Sequence, residues 1–91
     1  MKLLLGRKYE KSFTRLIRAG KYSLSELEIV VNILLSSESL PKKYKDHQLV
    51  GKLKEYRECH VQNDILLIYR VYENEDLLEL CDIGTHAQLF G

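Results

Sequence analysis

Residues 56–84 read YRECHVQNDILLIYRVYENEDLLELCDIG, and this stretch decides the fold. YRECHVQ alternates, placing Tyr56, Glu58, His60 and Gln62 on one side and Arg57, Cys59 and Val61 on the other. After Asn63 the run DILLIYRVYE is apolar and rich in β-branched and aromatic residues; NED makes a turn, and LLELCDIG returns. Three consecutive strands with tight turns predict an antiparallel meander. The strands beginning at Ile65 and Leu77 are apolar on both faces. One face is expected to meet helices, and the other, partly exposed in so small a domain, to form a groove or a partner surface.

The first half has a different period. MKLLLG is an apolar run closed by Gly6, short enough for a buried strand. Tyr9, Phe13, Leu16 and Ile17 then fall on one face of a helix from about Lys8 to Ala19, with Gly20 placed to end it in a left-handed cap. Ser23 and Glu26 have capping-box spacing. Leu24, Leu27, Val31 and Leu34 continue as a second helical stripe until SSESLPKK, where Pro41 punctuates the chain. The short connection predicts an antiparallel helical hairpin. A strand, a helical hairpin and then a meander make an α+β fold, with the hairpin covering one face of the sheet. The whole of residues 1–91 is expected to form a single domain.

Charge is nearly balanced, 14 Lys and Arg against 13 Asp and Glu, which does not advertise nucleic-acid binding for the molecule as a whole. Its distribution is uneven. Between Pro41 and Arg57 stand Lys42, Lys43, Lys45, Lys52, Lys54 and Arg57 against Asp46 and Glu55. Such a patch is either a solvated loop or a grip on a phosphate backbone. Cys59 and Cys81 belong to no CxxC pair and fit no zinc module. No signal peptide and no membrane-length apolar run is visible, so a cytoplasmic protein with reduced thiols is expected.

The titratable candidates are His47, His60, Asp64 and His86. Asp64 opens the middle strand of the meander, so it should lie beside the end of the last strand, near Ile83 and Gly84. His86 then approaches Asp64 and His60 if the chain end folds back. Three chemistries compete with the view that these are unrelated surface residues. Metal binding is disfavoured by long, irregular spacings and by the lack of an H-x3-H pair. A Cys59 nucleophile is disfavoured because alternation points it away from His60 and into the core. Acid–base cleavage of RNA remains. RNA carries its own nucleophile, the 2′-OH, so such an enzyme needs a base, an acid and cations for the phosphorane. A stacking aromatic such as Phe90 would orient the substrate.

YKDHQLVGKLKEYRECHVQNDILLIYRV followed by GTHAQLFG resembles the YafQ-type toxins of the RelE/ParE toxin–antitoxin superfamily. The resemblance is close over residues 44–91 and only one of layout before them. It implies a RelE-like fold and a ribosome-dependent mRNA endoribonuclease that cuts in the ribosomal A site without metal or other cofactor. It also implies partners: the 70S ribosome with its mRNA, a cognate DinJ- or RelB-like antitoxin, and operator DNA only through the antitoxin complex. It places catalytic residues at His47, His60, Asp64 and His86, and the substrate-contacting phenylalanine at Phe90. Two positions depart from the family pattern: Asp82 stands where members often carry Arg, and Ile65 where an aromatic occurs. Lys52, Lys54 and Arg57 are candidates to compensate, although alternation sets Arg57 opposite His60. Two other classes stay open: ParE-like gyrase inhibition, against which the three histidines argue, and a non-catalytic antitoxin-binding domain, which Asp82 keeps alive.

Overall fold

The computed structural model describes residues 1–20 and 24–91. Its elements run β1 (Lys2–Leu5), α1 (Arg7–Ala19), α2 (Ser25–Leu35), β2 (His47–Gln48), β3 (Arg57–Gln62), β4 (Ile65–Tyr72), β5 (Leu77–Thr85) and α3 (His86–Phe90). The five strands form one sheet in the order β1-β5-β4-β3-β2. The expected meander is there, antiparallel throughout. Its turns use Asn63 and Asp76, both at positive φ, a conformation these side chains tolerate.

Helix α1 ends as its sequence predicts: Gly20 is left-handed (φ 66°) and its N–H donates to the Ile17 carbonyl. The capping box expected at Ser23 and Glu26 falls partly outside the described residues. Glu26 itself is occupied elsewhere, accepting from the Tyr44 hydroxyl at 2.8 Å and so tying α2 to the basic loop. The two helices lie on the same sheet face but on different strands, α1 mainly against β5 and α2 against β3. Between them and the sheet lies the core: Tyr9, Leu16, Leu27, Val30, Leu34, Cys59, Val61, Ile65, Leu67, Tyr69, Leu78, Leu80 and Ile83.

One expectation is corrected. MKLLLG forms a strand, but not a buried one: Leu3, Leu4 and Leu5 remain 43–45% exposed. β1 is the sheet edge and pairs only with β5, in parallel, from Lys2↔Leu77 to Leu5↔Leu80. A short apolar run cannot reveal by itself whether its neighbours lie on one side or two.

β4 is the central strand and is buried on both faces. Ile65, Leu67 and Tyr69 face the helices, while Leu66, on the other face, is only 2% exposed. A β-bulge on β5 decides what lies on that second face. Ile68 pairs with Asp82, but Tyr69 pairs with Leu80, leaving Cys81 as the extra residue. The insertion shifts the alternation, so Ile83 rather than Asp82 follows Leu78 and Leu80 into the core.

Truncation should separate the two apolar environments. Leu67→Ala, at a fully buried position, is expected to lower the unfolding free energy by about 2–5 kcal/mol. Leu4→Ala on the exposed edge should cost well under about 1.5 kcal/mol. Urea titration of the two variants checks this, and equal losses would contradict the assigned edge.

Candidate active site

The site is built outward from β3. Alternation turns Glu58 and His60 to the face opposite the helices, and the two-residue strand β2 sets His47 directly across from Glu58. The result is a carboxylate between two imidazoles. Glu58 Oε1 lies 3.5 Å from His47 Nε2 and 3.9 Å from His60 Nε2. Glu58 is only 6% exposed, whereas both rings remain accessible. The Nδ1 of His47 contacts the Lys45 carbonyl at 2.8 Å. A carbonyl only accepts, so Nδ1 carries a proton and Nε2 is the nitrogen free to exchange one.

Glu58 had no place among the sequence candidates. The signal was present, since Glu58 and His60 are two apart on one strand. What was missing was β2, too short to stand out in a loop, whose pairing brings His47 to the same carboxylate.

The other half of the site follows from register. Ile65 pairs with Thr85, so Asp64 and His86 are the next residues beyond that pair on adjacent strands. His60 pairs with Leu66, which pairs in turn with Gly84. The chain end does fold back, as a short helix with a capping box: Gln88 N donates to Thr85 Oγ1 and Thr85 N donates to Gln88 Oε1. Gln88 lies over Gly84: a Cβ there would stand 2.7 Å from Gln88 Oε1, the atom that accepts from Thr85 N. The T-H-A-Q spacing carries the capping signal in the sequence. The helix sets Phe90 against His86, ring centroids 5.2 Å apart.

Arg57 is not brought to this face. Its guanidinium forks onto Asp46, with Nη2 to Oδ2 at 2.9 Å, and the buried Tyr69 hydroxyl donates to the same carboxylate. Bonding to Asp46 makes Arg57 still harder to deprotonate. Lys52 and Lys54 are exposed on the turn between β2 and β3, free to meet a large partner. Among the described residues no group of three His, Cys, Asp or Glu side chains is placed to hold a metal ion.

Beside the histidines a groove of about 450 Å³ opens on the same face. Leu49, Leu53, Tyr56 and Ile68 form one wall, Leu89 and Phe90 another, and Arg7, Lys8 and Asp82 the far end. Asp82 is buried, accepting at Oδ1 from Ser12 Oγ (2.6 Å) and from the Ile83 N–H (2.9 Å), with Lys8 Nζ 3.4 Å from Oδ2.

These observations match the comparisons. The model of the family described as "Bacterial toxin of type II toxin-antitoxin system, YafQ" matches residues 1–91. The chain belongs to the YafQ toxin family. The mRNA interferase toxin YafQ of Escherichia coli K12 is 41% identical over 69 residues, 75% of this chain and 73% of that one. A metal-bound toxin from Helicobacter pylori superposes with a TM-score of 0.90 at 37% identity, covering 99% of both chains. YafQ in the E. coli DinJ–YafQ complex gives 0.84 at 32% identity, over 99% and 98%. The RelE-like α+β fold implied by the sequence is thus the fold this YafQ member has. No helix among the described residues is long and apolar enough to cross a membrane.

Neither thiol belongs to the reactive chemistry. Burial pushes Cys59 and Cys81 up to about 12, so both stay protonated at neutral pH. Iodoacetamide at pH 7.5 is expected to leave the folded protein unmodified and to alkylate both cysteines in denaturant, as intact mass would register. Rapid alkylation of the native chain would refute this.

Proposed function

We propose that this YafQ member is an mRNA endoribonuclease that acts on the ribosome and cleaves by acid–base chemistry with the RNA 2′-OH as nucleophile. The arrangement carrying this reading is the His47–Glu58–His60 cluster, with Asp64 and His86 at the strand ends on the neighbouring pair. The E. coli K12 relative is named an mRNA interferase, which supports the same activity here. In the proposed reaction a base removes the 2′ proton and the oxygen attacks phosphorus. The 5′ oxygen leaves with a proton from an acid, and a 2′,3′-cyclic phosphate remains. His86 and Asp64 act nearest the scissile phosphate, one taking or giving the proton and the other orienting it. His60 and His47 polarise the phosphate or serve as the second acid–base group, with Glu58 holding both rings. Phe90 stacks on a base beside His86, and Lys52 and Lys54 grip the RNA backbone.

The partner is an antitoxin of the DinJ kind, as in the E. coli complex. It would neutralise the toxin by covering the histidine face.

The test is primer extension on a defined mRNA in programmed ribosomes. Wild type should cut within the A-site codon, and cut equally well when the toxin alone has been treated with EDTA and freed of chelator before it meets the ribosomes. His86→Ala should lose about 10²–10⁴-fold in rate, the contribution typical of one acid–base group. Full activity in His86→Ala would overturn the assignment. Absence of cleavage by folded wild type would leave a binding module. Loss of activity in toxin so treated, restored by adding back a transition-metal ion, would replace metal-free chemistry with a metal-dependent one.

A further inference from the structure

The groove next to the histidine cluster has a composition that suits one part of an RNA and rejects another. Its walls are apolar and aromatic: Leu53, Tyr56, Ile68 and Phe90. Its far end holds two carboxylates, Asp82 and Glu79. Asp82 is fixed, because Ser12 Oγ and the Ile83 N–H both bond Oδ1. That leaves Oδ2 beside the Lys8 ammonium, an acceptor and a donor 3.4 Å apart. Glu79 is likewise held, by the Tyr72 hydroxyl at 2.8 Å. A phosphate gains little here, because the cations Arg7 and Lys8, which line the same groove, are balanced by these two carboxylates. A neutral, flat group that stacks between aromatics and donates N–H at its edge would be welcomed.

We infer that this groove is a nucleobase pocket in which Asp82 and Lys8 read guanine. Guanine alone among the four bases presents two adjacent N–H donors, N1 and N2, next to a carbonyl acceptor, O6. The donors face Asp82 Oδ2 and O6 faces Lys8 Nζ. Adenine and cytosine offer a single amino donor beside a ring acceptor. Uracil sets its one N–H between two carbonyls, which the carboxylate opposes. At about 450 Å³ the groove has room for one base. Position makes it useful to the proposed reaction. Glu58, Ile68 and Asp82 are consecutive partners across the sheet. Asp82 therefore stands about 10 Å, two strand spacings, from Glu58 at the centre of the histidine cluster. The base read would be one flanking the scissile phosphate. This assignment rests on the nuclease reading for its biological meaning, but not for its measurement.

Nucleotide titration tests it without requiring cleavage. The 3′-monophosphates of guanosine, adenosine, cytidine and uridine are added to the isotopically labelled full chain, and amide shifts are followed by NMR. Guanosine 3′-monophosphate should shift Ile68, Ile83 and Phe90 and bind at least about 10-fold tighter than the uridine nucleotide, the size expected of a good base-edge contact. Asp82→Asn should reduce that ratio to under about 3-fold. Because Asp82 also bonds Ser12, Lys8→Ala serves as a second variant; Lys8 is largely exposed, so the fold survives while the O6 donor is lost. It should weaken guanosine binding several-fold and uridine binding little. Equal binding of all four nucleotides, shifts confined to other surfaces, no binding at all, or an unchanged ratio in both variants would each overturn the pocket. If His86→Ala proves fully active while the guanine preference holds, the catalytic assignment fails and the pocket stands.

Discussion

A central strand buried on both faces is the constraint from which the rest follows. β4 must have cover above and below, because Ile65, Leu67 and Tyr69 point one way and Leu66 the other, all nearly inaccessible. The helices answer the first demand. Among the described residues there is no second helical layer to answer the other. The cover on that side is assembled from pieces: the chain end folded as α3, with Gln88 lying over Gly84, and the turns between β2 and β3. Covers made of short segments leave gaps between them. The groove and the histidine cluster are those gaps, so the site is a consequence of how a small sheet hides its second face.

The bulge at Cys81 matters for the same reason. Without the extra residue, Asp82 would follow Leu80 into the hydrocarbon core, where an isolated carboxylate costs several kcal/mol (on the order of the penalties for buried ions). With it, Ile83 takes the core position and Asp82 pairs with Ile68. Beyond the last β1 pair, Leu5↔Leu80, the carboxylate reaches Ser12 and Lys8 on α1. A polar residue inside an apolar strand is thus accommodated by one inserted residue and three polar contacts.

Much of this was legible in the sequence. Alternation in RECHVQ separated Arg57 and Cys59 from Glu58 and His60, and the structure keeps that separation. Hairpin topology placed Asp64 beside the end of β5, and the Ile65↔Thr85 pair puts it there. What escaped is instructive. A strand of two residues has no period, so β2 and the partnership of His47 with Glu58 were hidden. A bulge is invisible to alternation, which is why Asp82 read only as an ill-placed charge. The exposure of β1 was missed because edge and interior strands of four leucine-rich residues look alike.

Under the proposed nuclease reading, Asp82 raises the question of how a site for a polyanion tolerates a carboxylate in its groove, and distance answers it. At about 10 Å, between the dielectric of water and that of a protein surface, two unit charges repel by about 0.4–1.7 kcal/mol. A phosphate held at the histidine cluster would feel that much from Asp82, and Lys8 offsets part of it. At about 4 Å the same repulsion rises to about 4 kcal/mol at the surface value, and Lys8, 3.4 Å from Oδ2, offsets part of it, so a phosphate gains little at the far end of the groove. The two magnitudes differ enough to sort the parts of one nucleotide chain. On the proposed reading, the phosphate lies where imidazoles and exposed lysines stand, and an uncharged base lies beside Asp82. On that reading a carboxylate at this position does not disarm the site; it fixes the direction in which a strand enters it.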